Sequence, residues 1–146
     1  MSFKPTLQDF HAKALSDYGI DDIWPEPVLK AAKIASEKLT QDKDYLEEFP
    51  FVTIDGEDAK DFDDAIFCTF NDDGFHLKVA IADVSFFVRE HSALDLEAGK
   101  RTTSVYMPKK VVPMLPERLS NELCSLQPNK RRRCLCVEIN FDKDGH

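Results

Sequence analysis

Between two apolar, strand-like runs, Phe51-Val52-Thr53-Ile54 and Ala65-Ile66-Phe67-Cys68, the chain packs five aspartates and one glutamate into ten residues, Asp55 to Asp64. A single lysine, Lys60, stands against them. Like charges a few ångströms apart repel by roughly 1–4 kcal/mol per pair at dielectrics between water and a protein surface. A disordered tract relieves that repulsion by spreading out. A segment anchored to strands at both ends has less room to spread, and a bound cation is the usual remedy. The segment therefore reads as a divalent-metal site, with acids decorating a solvated loop as the alternative that composition alone permits.

At 146 residues the chain has the length of about one domain. With 42% hydrophobic and 32% charged residues it can bury a core and is not generically disordered. The net charge of −8 is the opposite of the basic balance expected when overall charge drives nucleic-acid binding. Basic residues do concentrate at Lys130-Arg131-Arg132-Arg133, a run that by itself reads as a solvated turn. The cysteines Cys68, Cys124, Cys134 and Cys136 show no CxxC spacing, and buried reduced thiols are expected of them. No secretory signal and no run long enough to span a bilayer is legible, so a cytoplasmic protein with no membrane partner is expected.

Residues 5–19 have a helical pattern, with Leu7, Phe10, Ala14 and Leu15 near one face and Gly19 as a stop. A second helix follows Trp24-Pro25-Glu26-Pro27, where Val28, Ala32, Ala35 and Leu39 form an amphipathic stripe and prolines suit the first turn. A polar stretch, 40–48, leads into the acidic segment. Asn71-Asp72-Asp73-Gly74 is a turn signal that pairs Ala65–Phe70 with Phe75–Asp83 as a hairpin. In the second of these strands Phe75, Leu77, Val79 and Ile81 share a face, which also carries Asp83 at its end, as a strand-end cap or a support for the acidic site. Ser92-Ala93-Leu94-Asp95 resembles a capping box for a short helix ending near Gly99. Pro116 opens another, with Leu119, Leu123 and Leu126 on a stripe, and Arg132–Phe141 is strand-like. The expected class is α+β (mixed), an antiparallel-rich sheet with flanking helices. Asp144-Gly145-His146 is a turn signal with no strand after it, as expected of a sequence that stops inside a domain.

Mg²⁺ takes oxygen ligands near octahedral geometry and keeps several waters, so a few carboxylates and substrate phosphate oxygens suffice. Asp55 ends one strand-like run, and Asp61, Asp63 and Asp64 follow an excursion that lets the chain fold back on it. Asp63 and Asp64 point to different sides if locally extended, so each could serve one of two ions. Two ions about 3.5–4 Å apart stabilise both the attacking and the leaving oxygen in phosphodiester hydrolysis. An EF-hand needs a glutamate at position twelve; counting from Asp55 reaches Ile66 and counting from Asp61 reaches Asp72, so that match fails.

The string from Phe51 to Ala65, with its Asp-Gly-Glu-Asp-Ala-Lys-Asp-Phe-Asp-Asp core, closely resembles the opening motif of the catalytic (RNB) domain of the ribonuclease II/ribonuclease R family of exoribonucleases. Ala80-Ile-Ala-Asp-Val-Ser85, Arg101-Thr-Thr-Ser-Val-Tyr-Met-Pro108, Val112–Asn121 and Leu123-Cys-Ser-Leu126 resemble its following blocks in order. The resemblance implies a hydrolytic, metal-dependent 3′→5′ exoribonuclease that degrades single-stranded RNA to nucleoside 5′-monophosphates. It implies Mg²⁺ as cofactor, with Mn²⁺ as a substitute, held by Asp55, Asp61, Asp63 and Asp64, which match the family's active-site aspartates. Asp63 matches the one whose loss stops cleavage while leaving RNA binding. Tyr106 matches an aromatic that packs near the terminal nucleotide.

On this reading residues 1–48 are a helical lead-in and residues 49–146 the N-terminal portion of the catalytic domain. The chain departs from the family at Phe86-Phe87, where many members carry His-Tyr after Asp-Val-Ser. The family's later phosphate-holding arginine, second clamping aromatic and flanking cold-shock and S1 domains have no counterpart in these residues. Weak or absent activity of the chain alone is therefore expected. The alternative is a non-catalytic RNA- or protein-binding fragment or descendant of the family. Oligomeric state is not legible.

Overall fold

The computed structural model describes residues 4–38 and 49–146. Helix α1 (Leu7–Asp17) begins in a capping box: Thr6 Oγ1 accepts from the Asp9 amide, and Asp9 accepts from the Thr6 amide at 2.7 Å. Gly19, at φ +63, closes it in the left-handed region. Of its expected apolar face only Leu15 is buried; Leu7 and Phe10 stay exposed, because the helix lies at the margin of the described fold.

Helix α2 (Glu26–Lys38) is where the expected stripe succeeds, with Val28, Ala32 and Ala35 all buried. Leu39 and the polar stretch 40–48 lie outside the described residues. Helix α2 packs against α3 (Val84–Phe87), α4 (Ala93–Arg101) and a π-helical turn (Arg118–Leu123). Their apolar residues, Val28, Ala32, Phe87, Leu94, Leu119 and Cys124 among them, form the core together with Ala82. The stripe read for a helix after Pro116 is thus present, but wound wider, with the Cys124 amide bonded to the Leu119 carbonyl five residues back. Helix α4 runs two residues past Gly99 and ends at Thr102, at φ +64. Only half of its capping box forms: Ser92 takes the Asp95 amide, while the Asp95 carboxylate takes the His91 amide instead.

The sheet is antiparallel, in the order β1 (Asp64–Asn71), β2 (Gly74–Ala82), β5 (Cys134–Phe141). The predicted hairpin forms, with Asn71 opposite Gly74 and Asn71 Oδ1 accepting from the amides of Asp73 and Gly74. Gly74 sits at φ +139, and a Cβ there would lie 2.0 Å from the Phe141 carbonyl oxygen, so no other residue fits. Among the described residues the run Phe51–Ile54 makes only one bridge, Val52 to Ile66, and Ile54 is 83% exposed. It lacks a second partner, so the expected strand shrinks to a single contact.

The register shows which side of the sheet the expected apolar face takes. Phe75, Leu77, Val79 and Ile81 do share a face, together with Ile66 and Phe70 of β1 and Leu135, Val137, Ile139 and Phe141 of β5. That face is the open one: Phe70 is 65% and Leu135 61% exposed. The covered face bears Ala65, Ala80 and Ala82, with Phe49 and Phe51 packed on Phe67 and a Lys78–Glu138 ion pair. The cysteine expectation is also corrected. Only Cys124 is buried; Cys134 and Cys136 lie on the outer strand β5 and are exposed, as is Cys68, and all four thiols are free.

A small hairpin, β3 (Val105–Met107) and β4 (Lys110–Val112), stands apart from this sheet. Arg101 anchors the approach to it. Its guanidinium pairs with Glu97, donates to the carbonyls of Ile23 and Pro113, and lies 3.6 Å from the Trp24 ring centroid. The Ser104 hydroxyl accepts from the Met114 amide. No helix among the described residues is long and apolar enough to cross a membrane.

Candidate metal centre

The acidic segment leaves its bridge at Val52, turns at Gly56–Ala59 through a 3.0 Å backbone bond, and rejoins the sheet at Asp63. The Asp63 carbonyl accepts from the Ala82 amide, and Asp64 opens β1 opposite Ile81. Strand alternation therefore sends the two side chains to opposite sides, as the spacing predicts. Asp55, Asp63 and Asp64 are exposed and Asp61 is half-buried.

Electrostatics separates this segment from an ordinary acidic surface. The pKa of Asp63 is raised, first because its carboxyl is partly withdrawn from water, then by the charges of Asp61, Asp64 and Asp55. The charges of the other three predicted residues are thus all felt at Asp63. Among the described residues no lysine or arginine forms an ion pair with any of them. The negative potential extends beyond the segment, too. Burial pushes the Cys124 thiol up to about 12, and the carboxylates of Asp63 and Asp83 act in the same direction.

Tyr106, on β3, reaches the same place from the other hairpin. Its hydroxyl donates to Asp61 Oδ2 at 3.0 Å, and this bond is the main reason its pKa is raised. The residue remains 67% exposed, leaving its ring available to a ligand.

The four carboxylates do not converge tightly. Among the described residues the groups that bring three ligand atoms within 4.8 Å of one another are Asp142, Asp144 and His146, not Asp55, Asp61, Asp63 and Asp64. Still, the donor set fits a hard divalent cation. It is all carboxylate oxygen, unpaired with any lysine or arginine among the described residues, and an octahedral ion that keeps part of its water shell does not need three converged side chains.

Two expectations nearby are settled by contacts. Asp83 caps α3: its Oδ1 accepts from the Phe86 amide and the Ser85 hydroxyl, and its Oδ2 pairs with Arg133 at 3.5 Å. The basic run is only half a solvated turn. Lys130 and Arg131 are exposed, whereas Arg133 lies over the Phe86 ring and Arg132 donates to the Ser125 carbonyl. Ser125 escaped the residue-level reading. It is fully buried and bonds both the Lys60 carbonyl and the Phe62 amide; a lone serine within the apolar Leu123–Leu126 block was its only signal.

The model of the family described as the RNB domain matches residues 43–146. Ribonuclease R of Acidithiobacillus ferrooxidans is 48% identical over 136 residues, 90% of this chain and 31% of that protein. Mycoplasma genitalium RNase R in complex with double-stranded RNA is similar with a TM-score of 0.82 at 38% identity, over 93% of this chain and 25% of that one. The same enzyme in complex with ribose-methylated single-stranded RNA gives a TM-score of 0.72 at 37% identity, over 89% and 22%. The chain thus spans less than a third of each of these relatives.

Proposed function

Because the chain belongs to the RNB-domain family, we propose that it carries the acidic half of the active site of a metal-dependent, hydrolytic 3′→5′ exoribonuclease. Its substrate is single-stranded RNA and its products are nucleoside 5′-monophosphates. The observation that carries this reading is a cluster of four aspartates with which no described lysine or arginine forms an ion pair, joined through Asp61 to an exposed aromatic ring.

Asp55, Asp61, Asp63 and Asp64 would hold Mg²⁺, or Mn²⁺ in its place. When bound, such a cation neutralises the carboxylates, makes water acidic enough to attack near neutral pH and offsets charge on the leaving oxygen. The chain's own residues do the positioning. Tyr106 offers its ring to the terminal base, and stacking of that kind contributes about 1–3 kcal/mol and tolerates any base. The hydrogen bond to Asp61 fixes where that ring stands relative to the carboxylates. Residues 49–146 serve as the N-terminal portion of the catalytic domain, after a helical lead-in.

A second reading is a non-catalytic RNA- or protein-binding fragment or descendant of the family, favoured by the four carboxylates' failure to bring three ligand atoms within 4.8 Å of one another. The two separate in a gel time course on 5′-labelled single-stranded RNA with Mg²⁺, an EDTA control and Asp63→Asn. The chain is assayed alone and fused to the sequence that follows the matched region in a ribonuclease R. Slow or no release from the chain alone and metal- and Asp63-dependent shortening by the fusion support the catalytic reading. RNA retained without cleavage by a well-folded fusion supports the second.

A further inference from the structure

The four aspartates stand on a segment whose charges push it apart, and something must hold its backbone in place. Its own turn supplies one bond, from the Ala59 amide to the Gly56 carbonyl. Asp63 is held to β2 by the Ala82 amide and Asp61 is met by Tyr106, but the backbone on both sides of Asp61 is held from 63 to 65 residues away. Ser125 lies just beyond the π-helical turn with none of its surface exposed. Its hydroxyl accepts from the Phe62 amide at 3.1 Å and donates to the Lys60 carbonyl at 2.7 Å. Those two backbone groups flank Asp61 on either side. The next amide, Leu126 N, donates to the Phe62 carbonyl at 2.9 Å, so three bonds tie the stretch Lys60–Phe62 to the core.

Ser125 is itself fixed from behind. Its carbonyl accepts from Arg132 Nε at 2.8 Å, and the same guanidinium reaches Gln127 Oε1 at 3.4 Å. The Gln127 side chain in turn donates to the Asn121 carbonyl. The site asks one small side chain to donate and accept at once, toward two backbone groups, in a space closed to water. A hydroxyl does both; alanine does neither.

We propose that Ser125 is a positioning residue of the acidic centre, its hydroxyl setting the backbone that orients the Asp61 carboxylate. It touches neither substrate nor ligand atoms and acts through Asp61. The inference rests on the reading of the acidic segment as a cation site. It gives the Leu123-Cys-Ser-Leu126 block and Arg132 a role in that centre, one as the clamp and the other as its backing.

The test is a calorimetric Mn²⁺ titration of the 146-residue chain, its Ser125→Ala and Asp61→Asn variants and the double variant. Amide hydrogen exchange is followed on the metal-free samples. Loss of a partner that orients a metal ligand typically weakens affinity about 10–100-fold, and Ser125→Ala is expected near the lower end. In the Asp61→Asn background the same change should cost little more, since its effect passes through Asp61. Exchange should accelerate at 59–64 while β1, β2 and β5 stay protected. Ser125→Cys keeps the volume and weakens both bonds, so it carries the test if the alanine variant does not fold. Unchanged exchange at 59–64, or an equal loss of affinity with and without the Asp61 carboxylate, would overturn the proposal. If the unaltered chain binds no Mn²⁺, the cation reading itself fails; exchange then decides separately whether Ser125 pins the segment.

Discussion

Two acid-rich stretches of this chain invite the same interpretation and differ in the property that matters. In the turn Asp142–His146, three ligand groups already lie within 4.8 Å of one another. In the segment Asp55–Asp64 they do not. Yet the turn satisfies itself: Asp142 Oδ1 accepts from the amides of Asp144 and His146, and Oδ2 lies 3.3 Å from His146 Nδ1. These bonds, that from the His146 amide foremost, lower the Asp142 pKa. Asp63 moves the other way, raised by partial desolvation and three like charges. The two stretches thus differ in how their charge is balanced: the turn by its own hydrogen bonds, the segment by none of that kind at Asp63.

The largest effect that could break this contrast is on catalysis. In the fusion with the following ribonuclease R sequence, Asp63→Asn should reduce mononucleotide release by more than about 100-fold, the upper end for losing even an outer partner of a metal site. RNA binding should survive it. Asp142→Asn should leave turnover within about twofold, as surface changes away from the chemistry usually do. Equal losses in a single-turnover assay would erase the contrast, and a larger loss for Asp142→Asn would reverse it.

Tyr106 separates the two stretches further: among the described residues, it is the acidic segment whose carboxylate takes an aromatic hydroxyl. Tyr106→Ala should weaken single-stranded RNA binding by about 1–3 kcal/mol, read by fluorescence anisotropy. Tyr106→Phe keeps the ring and should keep most of that affinity. If both variants bind equally poorly, the hydroxyl matters to RNA and the stacking role is wrong.

Divalent cations come next. Saturating Mn²⁺ at about 100 times its Kd should stabilise the chain by about 2.7 kcal/mol. For a chain of this size that is a rise of about 5–10 °C in Tm. Asp61→Asn should remove most of the rise, and Asp144→Asn should leave it intact.

The smallest effect is a difference of sign with pH. A raised pKa means that the folded state holds the proton more tightly. Asp63 therefore favours folding below its ordinary value of 3.8, and that contribution is lost as pH rises through the folded value. Without metal, Asp63→Asn should raise Tm at pH 7 by about 1 °C, a small figure because solvent screens an exposed carboxylate. The gain should vanish in acid. Asp142 is lowered, so its contribution is present above the ordinary value and lost as pH falls through the folded one. Asp142→Asn should lower Tm at pH 7, by less still, and the deficit should also close in acid. Shifts of the same sign in thermal melts would erase the distinction.

How much of this was legible varied with the range of the interaction. The α2 stripe at Val28, Ala32 and Ala35 was read correctly, because a 3.6-residue period reports burial directly. The hairpin at Asn71–Gly74 was legible for a related reason: the Asn71 side chain satisfies amides two and three residues ahead. Phe75, Leu77, Val79 and Ile81 were placed together on one face, but periodicity does not say what lies over it. That face is open, and the helical core meets the sheet at Ala82 instead. Capping at Ser92 and the wide turn after Pro116 were seen in outline only, since their final bonds depend on neighbours with competing partners.

The acidic segment, its place between two apolar runs and the order of the blocks that identify the family can all be read from chain order. These are properties of chain order and charge, present before any folding. That Tyr106 reaches Asp61 across 45 residues, that Ser125 reaches Lys60 and Phe62 across more than 60, and that Arg132 and Arg133 turn inward follow from the folded path alone. A serine or an arginine carries the same donors wherever it stands; which backbone group it serves is set by the path of the rest of the chain.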